Sequence, residues 1–420
     1  MSVRRSRAAG LAIAALAASL AGCSSSGTQA GGYTYEKTLT VYSDLPLQGP
    51  QGALMTSIND GEILALEQAH AGGRDRNVSI ALVNDARHGA GGWDRETTAH
   101  AAEAAGQDID AIAYIGDFDS AATAISLPLI NENDILQVSP ASPYIGLTDA
   151  NPLDQTGEPA GYYPSGKRTF ARLLPSDLEE AAATASFMRA LGVRRLYVLS
   201  DTAALSAPYD SVIARLVAGD AASRGITLAG AADVDTADAS PSSAFATIAA
   251  MIARTHADAV LLGAAPDAGA QTLWQELHTA LPGTKLFAPS TLATAPFLRS
   301  LAGAASSTYV TSPILPLAQY PASAQVVLGE YRRAFGTAPT ADSLYGYEAM
   351  ASVLAAIQRA GRNAHKRLSV VDEYFHLGLR RSVIGTYRIS QSTGDTSLAQ
   401  FAGYRVGNAG QLIEVRRFSG

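Results

Sequence analysis

The sequence predicts an α/β protein with mostly parallel sheets. From Thr38 onward, short apolar runs alternate with longer segments of helical periodicity, and several of those segments end at glycine. Most of the apolar runs lack alternating polar residues, which is typical of strands that are covered on both faces. The alternation occurs in two series along 420 residues, and a chain of this length favours two domains. We therefore expect two similar α/β lobes.

The first series supplies the clearest candidate for a binding site. It comprises strands at 38–43, 78–84, 111–115 and 135–138, with helices at 53–71, 93–105 and from residue 121. Asp119 is expected to cap the third helix, and polar turns follow the last two strands. Ligands of open α/β sheets usually lie at this carboxyl edge. A purely local role of these polar residues in caps and turns stays open.

The second series follows an irregular stretch at 149–168 that is rich in Gly, Pro and Tyr. It comprises helices at 177–191, 209–224, 243–255 and 268–281 and strands at 195–200, 226–234, 257–262 and 285–288. The chain then continues with helices at 322–335 and 341–359 and short strands at 383–389, 403–406 and 412–418. A simple tandem of two lobes leaves these last elements unplaced.

The N-terminus has the composition of an export signal. Three arginines precede an apolar run from Ala8 to Leu20, which is too short to span a bilayer as a mature helix. Leu20-Ala21-Gly22-Cys23 resembles the lipobox of bacterial lipoproteins, and Cys23 is the only cysteine in the chain. We expect a signal peptide at 1–22, lipid attachment at Cys23 and a flexible tether at 23–37. An ordinary secretory signal with an incidental cysteine is the alternative.

The charge balance excludes some partners. Loss of three arginines with the signal leaves 28 basic against 38 acidic residues, a net charge of −10. Nucleic-acid binding requires clustered Lys and Arg, so such an acidic surface argues against it. No later apolar run reaches the length of a transmembrane helix. We therefore expect membrane attachment through the lipid at Cys23 alone.

The sequence contains no recognisable catalytic set. Residues 161–167 match most of a phosphate-binding P-loop, but Arg168 replaces the Ser or Thr that binds magnesium, and the flanking pattern is not strand and helix. A Gly-x-Ser-x-Gly nucleophile motif is missing, and none of the seven histidines lies at metal-ligand spacing from another. We expect no enzymatic activity, no cofactor and no metal site.

Four blocks of the sequence resemble the type I periplasmic binding proteins of the branched-chain amino acid transporter class. They are LPLQGP at 45–50 with NDG at 59–61, GDFDSAAT at 116–123, SPASPYIGLT at 139–148 and YGYEAM at 345–350. Residues 157–168 and 382–397 further resemble the actinobacterial lipoprotein branch of this family. The resemblance implies two Rossmann-like lobes, joined by a three-strand hinge, that close on a small solute.

The family's connectivity also accounts for the late elements. It implies one lobe at 38–168 with 313–382 and a second lobe at 169–312 with 383–420. The chain would cross between the lobes near 169–174, 309–313 and 383–387.

The resemblance assigns ligand-binding roles by position. Ser120 corresponds to the serine that meets the ligand carboxylate, Ala141 to a residue offering backbone groups, and Tyr209 to the aromatic of the second lobe. The full candidate set is Ser120, Ala121, Ala141, Ser142, Pro143, Tyr209 and Ser290.

Three positions depart from the family pattern. Leu54 stands where an aromatic is common, Pro143 where a threonine donates its hydroxyl and amide, and Ser290 where an acid meets the ligand ammonium. Ser142 and Asp267 are candidate substitutes for the lost hydroxyl and the lost acid. Because unpartnered buried charges are costly, we expect weak binding of leucine, isoleucine and valine and a preference for a less zwitterionic solute.

Two functional hypotheses are compatible with these residues. The first is a lipid-anchored receptor on the extracytoplasmic face of the cell membrane, which delivers a small solute to an ABC permease. The second is a sensor or regulator of the same fold that signals to a partner protein. An enzyme on this fold is disfavoured by the missing catalytic set.

Overall fold

The computed structural model describes residues 38–75, 77–87, 92–150, 157–202, 209, 211–237 and 241–419. The expected signal peptide, Cys23 and the tether lie outside these residues. Within the described part of the chain, no helix combines the length and apolar character needed to cross a bilayer.

The elements largely follow the sequence pattern. The strands are β1 Leu39–Asp44, β2 Val78–Val83, β3 Ala111–Ile115, β4 Leu136–Ser139, β5 Phe170–Arg172, β6 Arg195–Asp201, β7 Thr227–Val234, β8 Ala259–Gly263, β9 Lys285–Ala288, β10 Thr308–Ser312, β11 Arg380–Ser382, β12 Gly385–Tyr387, β13 Gln400–Val406 and β14 Leu412–Ser419. The helices are α1 Gly52–Ala71, α2 Arg95–Gln107, α3 Ser120–Glu132, α4 Asp177–Ala190, α5 Val212–Ser223, α6 Pro241–Ala253, α7 Ala268–Ala280, α8 Ala295–Ser300, α9 Ala322–Phe335, α10 Asp342–Ala360 and α11 Arg367–Phe375. The sequence pattern missed the short helices α8 and α11.

Two large sheets organise these elements. The first has the order β2-β1-β3-β4-β5, and all of its neighbouring strands are parallel. The second has the order β14-β13-β10-β9-β8-β6-β7 and is parallel from β10 to β7, while β13 and β14 add an antiparallel edge. Its parallel part repeats the strand order of the first sheet. The predicted α/β class with parallel sheets is confirmed.

One predicted strand is wrong. The stretch 383–389 forms no continuous strand, because Ser382 and Gly385 close a turn and β11 pairs with β12 as an antiparallel hairpin. Gly385 has φ 129°, a backbone region that favours glycine. The Ser382 hydroxyl accepts a bond from the Ile384 amide and donates one to the Gly385 carbonyl. These local bonds override the apolar pattern that favoured a longer strand.

Helices α1 and α10 cross with their backbones in close contact. A Cβ added to Gly61 would lie 2.1 Å from the Ser343 carbonyl oxygen, and one added to Gly346 would lie 2.2 Å from that of Ile58. Two of the blocks that carry the family resemblance therefore meet here, each supplying a glycine. The crossing holds the N-terminal half of α1 beside the carboxyl edge of the first sheet.

Candidate functional site

A cavity of about 870 Å³ lies at the carboxyl edges of both sheets. Its walls include the turns after β3, β4, β8 and β9, together with the N-terminal part of α1. Polar turns at the ends of parallel strands are the usual position of ligands in such folds. The cavity is therefore the candidate ligand site.

Four of the seven predicted site residues line this cavity. They are Ser120, Ala141, Pro143 and Ser290, and Leu54 lines it as well. Ala121, Ser142 and Tyr209 are not among the lining residues. Tyr209 instead packs edge-on against Tyr144, with ring centroids 4.9 Å apart.

Ser120 begins α3, so its hydroxyl lies at the positive end of that helix. Its Oγ accepts a hydrogen bond from the Tyr144 amide at 3.2 Å and retains its own proton for donation. The preceding Asp119 occupies the cap position, but its side chain makes no capping bond, which corrects the expectation for this residue. Asp119 lines the cavity, and burial raises its pKa to about 6.

Ser142 supports the cavity wall from behind. Its hydroxyl is fully buried, donates to the Asp117 carbonyl at 2.9 Å and lies 2.7 Å from the Thr123 hydroxyl. Its own carbonyl and that of Tyr144 accept bonds from Nη1 of the buried Arg172, at 2.8 and 2.7 Å. Arg172 also pairs with Asp395 at 2.7 Å. The turn is thus fixed by bonds that leave the Ser142 hydroxyl pointing into the protein.

Asp267, the candidate substitute for the lost acid, is also held by hydrogen bonds outside the cavity. Asp267 caps α7 by accepting a bond from the Ala270 amide at 2.7 Å, and its other oxygen accepts one from the Thr236 hydroxyl at 2.9 Å. Its carboxylate serves the local structure, and the residue is not among those that line the cavity.

The sequence pattern did not reveal an acid that contacts Ser290. The Ser290 amide donates to Oε1 of Glu180 at 2.6 Å, and its hydroxyl donates to Oε2 at 2.5 Å. Burial raises the pKa of Glu180 to about 7. Because the hydroxyl proton of Ser290 points to Glu180, the hydroxyl oxygen is left to accept a hydrogen bond from a solute in the cavity. The sequence placed Glu180 in the first turn of α4, and no local signal connects it with a residue so distant in the chain.

Charged and aromatic side chains complete the lining. Asp60 and Asp342 join Asp119, and Arg299 is the one base among the described lining residues. Asp60 accepts a bond from the Tyr331 hydroxyl at 2.9 Å, and burial raises the pKa of Asp342 to about 6. Trp93 and Phe118 add apolar surface.

Residues 45–407 match the model of a family described as periplasmic binding protein. The chain belongs to this family. Its members bind solutes rather than catalyse reactions, in agreement with the missing catalytic set. The comparison with curated proteins found no match.

Solved structures share the architecture of this periplasmic binding protein. A leucine-binding protein, LivK from Thermotoga maritima, is 19% identical with a TM-score of 0.72, over 91% of this chain and 99% of that one. The substrate-binding protein LivJ from Streptococcus pneumoniae, in complex with isoleucine, is 14% identical with a TM-score of 0.71, over 91% and 100%. A solute-binding protein of an ABC transporter from R. palustris, in complex with benzoate, is 17% identical with a TM-score of 0.69, over 90% and 96%. At these identities the likeness concerns the fold.

Proposed function

We propose that this periplasmic binding protein is the solute receptor of an ABC importer and is anchored through lipid at Cys23 on the extracytoplasmic face of the membrane. The main observation that supports this proposal is the cavity of about 870 Å³ at the carboxyl edges of the two sheets. The family match and the transporter proteins among its structural relatives support the same role. The lipobox-like residues before Cys23 support the anchor.

The solute is a small amino-acid-like or other polar molecule, and the lining disfavours a branched-chain amino acid. A buried carboxylate needs donors, but Pro143 has neither a hydroxyl nor an amide hydrogen. A buried ammonium needs an acid, but at position 290 the Ser290 amide and hydroxyl already donate to both oxygens of Glu180, so its partner would have to be one of the other lining acids, Asp60, Asp119 or Asp342. Losing one charge-assisted contact costs about 1.5–3 kcal/mol, which weakens binding roughly tenfold to more than a hundredfold.

The size of the cavity favours a solute larger than a single small amino acid. Ligand cavities in proteins are commonly about 300–1,000 Å³, and this one lies towards the upper end of that range. An amide, a small peptide or a hydroxylated compound would use the Ser120 hydroxyl as donor and the Ser290 hydroxyl as acceptor without burying a free ammonium.

The proposed mechanism is closure of two lobes on the solute. One lobe would comprise 38–168 with 313–382 and the other 169–312 with 383–420. This proposal is supported by the lining residues, some of which lie beside the first sheet and others beside the second. A solute in the cavity would therefore contact residues of both proposed lobes.

The test combines identification and titration. Native mass spectrometry of the purified lipid-free protein should reveal a co-purifying small molecule, and calorimetry should then measure its affinity. Leucine, isoleucine and valine are titrated in parallel, with benzoate as a further probe. We expect dissociation constants weaker than about 100 μM for the three amino acids. A micromolar or tighter constant for any of them would contradict the proposed solute class. A variant of the cavity that no longer binds the identified solute, in cells that still import that solute, would contradict the receptor role.

A further inference from the structure

Three buried aspartates meet at the ends of adjacent strands. Asp44 ends β1, Asp85 follows β2 and Asp117 follows β3. One carboxylate oxygen from each lies within 4.8 Å of the other two, and all three side chains are fully buried. None of them lines the cavity described above. Their chemistry therefore needs an explanation separate from solute binding.

Hydrogen bonds satisfy only part of this cluster. Tyr114 donates to Oδ2 of Asp44 at 2.7 Å, Thr98 donates to Oδ2 of Asp85 at 2.9 Å, and Ser126 donates to Oδ2 of Asp117. Oδ1 of Asp44 and Oδ1 of Asp85 are buried and have no hydrogen-bond partner. These two unpaired oxygens are a second observation, independent of the clustering, that indicates a missing partner.

No basic side chain supplies that partner among the described residues. The ion pairs among the described residues join Arg, Lys or His to carboxylates outside the cluster, including Asp94, Asp134 and Asp395. An isolated buried carboxylate costs several kcal/mol unless it is paired or protonated, and here three repel one another. Either protons or a bound cation must neutralise the cluster.

We propose that Asp44, Asp85 and Asp117 bind a divalent cation, with calcium as the best fit. The donor set consists of oxygen atoms only, which suits hard cations. Calcium–oxygen distances of about 2.3–2.6 Å allow two ligand oxygens to lie up to about 5 Å apart, whereas magnesium at about 2.1 Å allows about 4.2 Å. The three oxygens lie within 4.8 Å of one another, which is compatible with both ions. Calcium is favoured because magnesium usually keeps several of its waters, whereas these three side chains are fully buried.

The cation would brace one wall of the cavity. It would join the ends of β1, β2 and β3, which come from distant parts of the chain. The Asp117 carbonyl accepts bonds from the Ser139 hydroxyl at 2.6 Å and the Ser142 hydroxyl at 2.9 Å, so Asp117 is connected to the turn that carries Ala141. Binding of the cation therefore stabilises the strand edge on which the solute site is built.

Protonation is the competing explanation, and it makes a different prediction. Burial, followed by the charge of neighbouring carboxylates, raises the pKa of Asp44 and of Asp117 well above the usual range, and burial raises that of Asp85 to about 6. Protons alone would leave the stability independent of calcium. A bound cation would make the stability rise with calcium concentration.

The experiment uses the lipid-free protein after treatment with EDTA. Calcium chloride is titrated by calorimetry and by thermal unfolding, and terbium luminescence is recorded with excitation of tyrosine. We expect one bound calcium ion per chain, a Tm that rises with calcium in the range of about 0.1–1 mM, and terbium emission sensitised by Tyr114. No heat and no change in Tm over this range would overturn the proposal and assign the neutralisation to protons.

Variants locate the site. Asp85→Asn and Asp117→Asn should each weaken calcium binding by at least about tenfold. Asp201→Asn is the matched control, because Asp201 is a buried carboxylate at the end of β6 that accepts a bond from the Thr236 amide at 3.1 Å. It should bind calcium as the wild type does. Unchanged calcium binding in both cluster variants would place the ion elsewhere and overturn the proposal.

One further variant covers the case in which the asparagine substitutions prevent folding. Tyr114→Phe keeps all three carboxylates but removes the hydroxyl that contacts Asp44. It should retain calorimetric calcium binding while the tyrosine-sensitised terbium emission falls. Unchanged emission in this variant would show that the ion lies away from Tyr114 and would contradict the proposed position.

Discussion

Replacement of Gly346 by alanine tests the close crossing of α1 and α10. The new Cβ would lie 2.2 Å from the Ile58 carbonyl oxygen and 2.9 Å from the Cγ2 atom of the same residue. The obstacle at 2.2 Å is helix backbone, which cannot rotate away as a side chain can. The two helices would have to separate by roughly 1 Å to restore van der Waals distances.

The expected magnitude follows from two opposing effects. Alanine in a helix interior is intrinsically more favourable than glycine by about 0.5–1 kcal/mol. Overpacking a tightly packed contact costs about 1–3 kcal/mol, and a clash with backbone lies at the upper end. We therefore expect Gly346→Ala to lower the free energy of unfolding by about 2 kcal/mol.

The assay is urea denaturation of the lipid-free protein, monitored by circular dichroism. Gly329→Ala is the matched control, because Gly329 lies inside α9 and a Cβ there would meet no atom within 4 Å. This control should gain stability by up to about 1 kcal/mol, since only the helix propensity changes. If Gly346→Ala is as stable as the control variant, the close crossing is wrong.

Three other predictions concern a buried acid, the lipid anchor and the solute site. Burial raises the pKa of Glu62 from 4.5 to about 8. The unfolded state therefore loses this proton first, and the free energy of unfolding falls by at most about 5 kcal/mol as the pH rises from about 4.5 to about 8. Glu62→Gln should flatten this part of the pH profile of urea midpoints. Equal pH profiles of the variant and the wild type would refute it. Cys23→Ala should release the protein from the membrane fraction without changing the thermal unfolding of the folded body, and continued sedimentation with membranes in high salt would contradict lipid anchoring. A co-purifying solute, once identified, should protect residues 117–123 and 139–146 from hydrogen exchange, whereas equal exchange with and without it would contradict binding between the lobes.

The composition of the cavity wall shows where sequence reasoning stops. Ser120 and Pro143 could be assigned to the wall from their positions in the blocks GDFDSAAT and SPASPYIGLT that carry the family resemblance, and such blocks are a local property of the chain. Ser142 occupies the same turn, but its hydroxyl points into the protein, because bonds to Asp117 and Thr123 fix it there. Neighbours in sequence thus face opposite directions, and no periodicity applies to an irregular turn.

The sequence alone determined the α/β class, the order of most helices and strands, and the family. The class and the order of elements depend on the spacing of apolar residues and on glycine at helix ends, whereas the family follows from the resemblance of four short sequence blocks; both kinds of signal are local along the chain. The tertiary structure decided which carboxylates meet. Glu180 contacts Ser290 from 110 residues away, and Asp44, Asp85 and Asp117 converge only because β1 lies between β2 and β3 in the sheet. Such contacts follow from strand order and helix packing, which the local pattern of residues does not encode.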